Sequence, residues 1–64
     1  MKTEFDYGRE YAESMAGEGE AVDVDEMVHM STDIPTEDYI SMKREGIENP
    51  DARKYWAGYN SYFD

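Results

Sequence analysis

The C-terminal part of the chain carries its strongest periodic pattern. Apolar side chains recur at i, i+3, i+4, i+7 and i+11, at Ala52, Tyr55, Trp56, Tyr59 and Phe63. This spacing places them on one face of an α-helix. Asn49 and Pro50 fit the cap and the first position of that helix. We therefore expect an aromatic helix to supply the core, with Trp56 at its centre and Ile47, Ile40, Phe5 and Ala12 around it.

The segment from Thr3 to Ala16 has the pattern of another helix. Thr3 is a favourable cap, and acidic residues follow it in the first turn, where the helix dipole favours negative charge. One face carries an apolar stripe, at Phe5, Gly8, Ala12 and Met15. Another face carries an acidic row, at Asp6, Glu10 and Glu13. Gly17 is a natural stop for this helix.

Two shorter segments lie between these helices. Within residues 21–30, Val24, Met27 and Val28 have helical spacing, but the preceding residues partly alternate as in a short strand. After Pro35, Thr36 is a favourable cap for a helix that ends near residue 46. The predicted fold is a single all-α domain over residues 1–64. It is a small bundle of three to four short helices, with residues 21–30 as a helix or, alternatively, a short strand.

Length and composition limit how such a domain is stabilised. A chain of 64 residues has a small core, and the absence of cysteine excludes disulfides and thiolate metal sites. No apolar run approaches the roughly 18 residues of a membrane span, and the first residues do not resemble a signal sequence. We therefore expect a cytoplasmic protein that does not bind membranes.

Negative charge is concentrated in the first two thirds of the chain. Residues 1–42 contain twelve acidic and two basic side chains, whereas residues 43–64 contain four of each. From Glu10 to Asp38 there are ten acidic residues and no basic residue. Because phosphates would repel such a surface, the net charge of −10 disfavours direct binding of nucleic acid and favours a basic protein partner.

Residue types that enzymes use for nucleophilic catalysis are scarce, and with sixteen acidic residues any carboxylate pair is expected by chance. There is one histidine, His29, and no serine lies in a motif of an activated nucleophile. Glu26 and His29 have the i, i+3 spacing of helical metal sites, with Asp23 and Asp25 nearby, but matching ligands are missing. A calcium-binding loop that begins at Asp23 would also need glycine at its sixth position, which is occupied by Val28. We predict no enzyme activity, no catalytic residue, no metal site and no cofactor.

The six tyrosines form the other notable group. Two of them, Tyr55 and Tyr59, belong to the aromatic face described above, and we expect them in the core. The others are flanked by acidic residues or lie near a chain end, and exposed aromatic side chains are frequent binding hot spots. We expect exposed contact residues among Tyr7, Tyr11, Tyr39 and Tyr62.

Size, charge and aromatic content together carry a resemblance that covers the whole chain. The protein resembles the small acidic DNA-mimic inhibitors of phages and mobile elements, among them anti-restriction and anti-CRISPR proteins and uracil-DNA glycosylase inhibitors. That class shares no motif, so no site residue can be transferred from it. Two short segments, residues 7–17 and 49–59, are also similar to the helix ends of ribosome modulation factor, a basic protein that binds ribosomal RNA.

The resemblance implies an inhibitor that covers the basic surface of a nucleic-acid-binding protein, in the host cytoplasm if the chain is phage-encoded. Carboxylates at i and i+4 lie about 6 Å apart on a helix, close to the separation of consecutive phosphates. Aromatic side chains beside them can take the place of bases or sugars. The predicted partner-binding residues are Asp6, Glu10, Glu13, Glu18, Glu20, Asp23, Asp25, Glu26, Asp33, Glu37, Asp38, Tyr7, Tyr11 and Tyr39.

The alternative is a small adaptor or assembly protein that binds a protein partner through an aromatic and apolar face. Acidity would then serve solubility, and substitutions at Trp56, Tyr59 or Phe63 would abolish binding. Homodimerisation fits either interpretation, because methionine side chains can form an adaptable apolar surface, here at Met15, Met27, Met30 and Met42.

Overall fold

The computed structural model describes residues 1–15, 18–29 and 34–64. Within these residues the chain forms four α-helices: α1 (Glu4–Ser14), α2 (Val24–His29), α3 (Thr36–Arg44) and α4 (Ala52–Ser61). The same residues contain no strand. The prediction of a small all-α bundle is therefore confirmed. The described part of residues 21–30 is helical from Val24 onward, which decides between the two alternatives for that segment.

The N-terminus of α1 is capped by Thr3, as predicted. The Thr3 hydroxyl accepts a hydrogen bond from the Asp6 N–H, and the Asp6 carboxylate accepts one from the Thr3 N–H at 2.9 Å. This capping box satisfies two N–H groups that the first turn cannot pair within the helix. The same bonds lower the pKa of Asp6, because the Thr3 N–H stabilises its carboxylate. Met15 caps the other end of α1, and Gly17 lies outside the described residues.

The start of α3 differs from the prediction by one residue. Thr36 is the first helical residue rather than the cap, and Pro35 occupies the cap position without a side-chain hydrogen bond. The fixed backbone of proline sets the entry into the helix instead. The helix ends at Arg44, and Gly46 follows with φ of 102°, a left-handed conformation that glycine adopts without steric cost.

The start of α4 also differs from the prediction. Asp51, not Asn49, is the cap, because its carboxylate accepts a hydrogen bond from the Arg53 N–H at 2.9 Å. Pro50 consequently precedes the cap and is not the first helical residue. The periodic segment is helical as predicted from Ala52 to Ser61, whereas Phe63 lies beyond the end of the helix and packs half-buried against the core.

The core lies mainly between α1 and α4 and is largely aromatic. Its buried apolar residues are Tyr7, Ala12, Met42, Tyr55, Trp56 and Tyr59. Trp56 meets Tyr55 and Tyr59 edge-on, at ring-centroid distances of 5.0 and 5.2 Å. Each such pair contributes about 0.5–1.5 kcal/mol beyond the area that it buries. The predicted core positions of Trp56, Tyr55, Tyr59 and Ala12 are confirmed.

Two glycines allow the backbones of α1 and α4 to touch. A Cβ atom at Gly8 would lie 2.7 Å from the Tyr55 carbonyl carbon and 3.0 Å from the Tyr59 nitrogen. A Cβ atom at Gly58 would lie 2.7 Å from the Phe5 carbonyl carbon. Because the obstacles are backbone atoms, no rotation of a side chain relieves either clash. These two positions set the close approach on which the aromatic core depends.

Two residues predicted for the core are exposed instead. Phe5 is 41% exposed and Ile40 is 44% exposed. The backbone of Phe5 lies against Gly58, so the Phe5 ring does not occupy the helix interface. In α3 the buried residue is Met42, and the short helix has no second face against the core. Ile47 is half-buried and packs against the core.

The predicted methionine surface is not present in the described part of the chain. Met42 is fully buried, and Met15 and Met27 are half-buried against the core. Met30 lies outside the described residues. Dimerisation stays a prediction, but the described methionines do not form the apolar surface that was expected to support it. No helix among the described residues has the length and apolar character needed to span a bilayer.

Candidate functional site

The acidic residues between Glu10 and Asp38 lie at the protein surface. The structure describes nine of the ten, of which eight are exposed and Asp38 is half-buried. Asp33 lies outside the described residues. The acids lie in the second half of α1, in the segment leading into α2, in the first turn of α2 and in the first turn of α3. The exposure predicted for this segment is confirmed for all described members except Asp38.

Few of these acids have a cationic partner. In residues 1–15, 18–29 and 34–64, the ion pairs are Lys2 with Glu10, at 3.0 Å, and Arg53 with Asp25. Among the acids from Glu10 to Asp38, six exposed ones have no basic side chain within ion-pair distance in the described part of the chain. We call them the unpaired acids: Glu13, Glu18, Glu20, Asp23, Glu26 and Glu37.

The acidic row predicted on α1 is mostly engaged in local contacts. Asp6 is half-buried and forms the capping box with Thr3, and Glu10 pairs with Lys2. Glu13 alone remains among the unpaired acids. The first helix therefore contributes only one of the unpaired acids. Residues 18–26 and the start of α3 contribute the other five.

Residues 18–26 are fastened to α4 by Asn60. Its side-chain amide accepts a hydrogen bond from the Val22 N–H and donates one to the Val22 carbonyl, both at 2.8 Å. An asparagine amide can satisfy both backbone groups of one residue in this way. Arg53 of α4 adds its ion pair to Asp25. No local sequence pattern indicates this role of Asn60, because Val22 lies 38 positions away.

A cleft of about 450 Å³ opens between α1 and α3. Acidic and aromatic side chains dominate its walls. It is lined by Lys2, Tyr7, Glu10, Tyr11, Ser14, Glu37, Asp38 and Ser41. Five of these residues belong to the predicted partner-binding set: Tyr7, Glu10, Tyr11, Glu37 and Asp38. The structure thus brings together part of that set, whereas Glu18, Glu20, Asp23, Asp25 and Glu26 lie outside the cleft.

Two tyrosine hydroxyl groups fix the cleft walls. Tyr7 donates a hydrogen bond to Glu45, and Tyr55 donates one to Asp38 at 2.6 Å. The bond to Glu45 is the main cause that raises the pKa of Tyr7 to about 12. Burial, followed by the bond to Asp38, raises the pKa of Tyr55. Both hydroxyl groups therefore stay protonated at neutral pH and join α3 to the core.

The four tyrosines expected at the surface differ in exposure. Tyr7 is only 7% exposed, so its prediction as an exposed contact residue is wrong: its ring packs in the core, and one face lines the cleft. Tyr11 is half-buried against Tyr59, at 5.9 Å between ring centroids. Tyr39 and Tyr62 are exposed, as predicted.

The acidic turn weighed as a metal site has other contacts. Asp23 accepts a hydrogen bond from the Glu26 N–H at 3.2 Å, and Asp25 pairs with Arg53. The side chain of His29 lies outside the described part of the chain. Among the described residues, no group of three histidine, cysteine or carboxylate side chains is arranged to hold a metal ion.

No protein-family profile matches the chain, and no curated protein or solved structure is significantly similar to it.

Proposed function

We propose that this protein binds a nucleic-acid-binding protein and inhibits it by presenting an acidic surface to its basic site. The observation that carries the proposal is the set of unpaired acids, six exposed carboxylates between Glu13 and Glu37 that have no cationic partner among the described residues. An ordinary solvated helix mixes charges and forms pairs at i, i+4. Unpaired like charge disfavours the compact state of a small domain, which supports a role for it in binding.

The acids are presented by ordered backbone rather than by a loose tail. Asn60 fastens Val22 to α4, and the hydroxyl of Tyr55 holds Asp38 at the start of α3. A preorganised charged surface loses less conformational entropy on binding than a disordered acidic segment. This arrangement supports occupation of a groove whose lysine and arginine side chains otherwise neutralise phosphates.

Electrostatics determine the behaviour expected of such a complex. Opposite charge accelerates the encounter of the two proteins, and dissolved salt screens that attraction. The proposal therefore includes rapid, salt-sensitive binding to a basic partner, without direct binding of nucleic acid and without a catalytic step. A host cytoplasm and a phage or mobile-element origin belong to the same proposal.

Affinity capture from a host lysate tests this function. The immobilised protein is incubated at low and at high salt, and the bound proteins are identified. We expect a basic nucleic-acid-binding protein that elutes as salt rises and that loses its nucleic acid when this chain is added. Recovery of no such protein at low salt, or a partner that binds its nucleic acid and this chain together, would contradict the proposal.

The exposed apolar residues of α3 support a second candidate, the adaptor. Tyr39 is 42% exposed and Ile40 is 44% exposed, and they are adjacent in the chain. In contrast, Trp56 and Tyr59 are buried, so the face first considered for the adaptor serves the core. The adaptor proposal now rests on Tyr39 and Ile40.

Salt dependence separates the two candidates. An adaptor that uses apolar contacts retains its partner at high salt and loses it when Tyr39 and Ile40 are both changed to serine. An acidic inhibitor shows the opposite pattern, because screening weakens ionic contacts and leaves apolar contacts intact. Both residues are exposed, so this double substitution leaves the buried core unchanged.

A further inference from the structure

The cleft between α1 and α3 already holds one cationic group, which belongs to the chain itself. The Lys2 ammonium lies 3.0 Å from a Glu10 carboxylate oxygen and 4.1 Å from the centroid of the Tyr7 ring. A carboxylate beside an aromatic face is a favourable environment for an organic cation. Lys2 therefore shows which chemical group this wall of the cleft accepts.

The opposite wall carries further negative charge. Glu37 and Asp38 line the cleft from α3, and neither has a basic side chain within ion-pair distance among the described residues. With Glu10, three acidic residues and one basic residue, Lys2, line the cleft. A volume of about 450 Å³ lies within the range of small-ligand sites, so the cleft is large enough for a guanidinium group at the position of the Lys2 ammonium.

The groups that face this space are held in place by the fold. Hydrogen bonds from Tyr7 to Glu45 and from Tyr55 to Asp38 fix one aromatic ring and one carboxylate. Tyr11 packs against Trp56 edge-on, at 6.2 Å between ring centroids. A site whose groups are already oriented loses little entropy when a ligand enters.

We infer that this cleft is the anchoring site for one arginine side chain of the partner, and that Lys2 is an internal competitor which the arginine displaces. The inference rests on the proposed function for the basic character of the partner. Arginine fits better than lysine, because its planar guanidinium stacks on an aromatic ring and donates to two carboxylate oxygens at once. Tyr7 offers the ring, and Glu10, Glu37 and Asp38 offer the oxygens.

Removal of Lys2 tests the competition directly. The Lys2→Met variant keeps a similar side-chain length and removes the ammonium group, so no cation of the chain itself competes for Glu10 and the Tyr7 ring. In this variant an arginine ligand no longer has to break the exposed Lys2–Glu10 ion pair and the Lys2–Tyr7 cation–π contact. The energies of these two contacts correspond to about three- to tenfold tighter binding of the ligand. Lys54→Met is the matched control: it makes the same change of net charge at an exposed residue that does not line the cleft.

The probe is the peptide acetyl-Gly-Arg-Gly-amide, titrated into the ¹⁵N-labelled protein by NMR. Its citrulline counterpart has nearly the same shape without the charge. We expect the arginine peptide to shift the amide signals of Tyr7, Tyr11 and Glu37, and to bind three- to tenfold more tightly to Lys2→Met than to Lys54→Met. The citrulline peptide should shift these signals little.

Three results would overturn the inference: equal binding of the two peptides, equal affinity of the two variants, or shifts confined to residues 18–26. The last result leaves the proposed function intact, because an acidic surface outside the cleft would then bind the cation. Conversely, arginine binding in the cleft with no basic partner in the lysate supports arginine recognition by the cleft and contradicts the proposed function.

Discussion

Replacement of Gly58 by alanine tests the close crossing of α1 and α4. The added Cβ would lie 2.7 Å from the Phe5 carbonyl carbon and 2.8 Å from its Cα, with the carbonyl oxygen closer still. Ordinary contact begins at 3.4 Å, so α1 and α4 must separate by at least 3.4 − 2.7 = 0.7 Å, and further to clear the oxygen. This movement loosens the packing of Tyr55 and Tyr59 against α1.

Two opposing effects set the size of the change. Overpacking against backbone costs up to about 3 kcal/mol. The higher helix propensity of alanine than of glycine raises the free energy of unfolding by about 1 kcal/mol. We therefore expect Gly58→Ala to lower the free energy of unfolding by about 2 kcal/mol and the melting temperature by about 8–16 °C. Gly8→Ala, which meets the backbone of Tyr55, should behave alike.

Thermal and urea unfolding, followed by circular dichroism, measure the effect. Ala57→Gly is the matched control, because Ala57 is exposed, neighbours Gly58 and lies in the same helix. It should lower the free energy of unfolding by only about 1 kcal/mol, through helix propensity alone. A Gly58→Ala variant that is more stable than the parent would refute the close crossing, since an unobstructed helical glycine gains stability from this substitution.

Three further outcomes concern hydrogen bonds of the fold. The bond from Tyr7 to Glu45 raises the pKa of Tyr7 from 10.0 to about 12. This bond therefore stabilises the fold fully below pH 10, and its contribution is lost as pH approaches 12. Urea unfolding from pH 9 to 12 should show this loss of stability, and the Tyr7→Phe substitution should abolish that part of the loss. Tyr55→Phe should cost about 1.5–3 kcal/mol in urea unfolding, because Asp38 loses its donor, and an unchanged stability would contradict that bond. Asp51→Ala should lower the free energy of unfolding by about 1 kcal/mol, through loss of the α4 cap, and no change in the same assay would contradict it.

The helices follow from local sequence patterns. Thr3 caps α1 as predicted, and the periodic spacing from Ala52 onward predicts both α4 and the burial of Trp56. These predictions hold because capping and helical periodicity depend on residues three or four positions apart. The exact starts of α3 and α4 were wrong by one or two residues, because Pro35 rather than Thr36 precedes α3 and Asp51 rather than Asn49 caps α4.

The contacts between helices could not be predicted in the same way. The bond from Tyr7 to Glu45 joins residues 38 positions apart, and the bond from Tyr55 to Asp38 joins residues 17 positions apart. Hydrophobicity alone placed Ile40 in the core, but α3 buries Met42 instead. The charge pattern correctly indicated exposed acids. Their division into paired and unpaired groups depends on where the three-dimensional fold puts the few basic side chains.

The most direct test of an acidic binding surface compares two charge-matched variants with the partner recovered by affinity capture. Glu18→Gln with Glu20→Gln removes two unpaired acids, whereas Glu48→Gln with Asp64→Asn removes two exposed acids from the electrically neutral C-terminal part. At low salt we expect the first variant to lose about fivefold in affinity and part of its salt dependence, and the second to stay within about twofold of the parent. Equal affinities of the two variants would contradict a binding surface made of the unpaired acids.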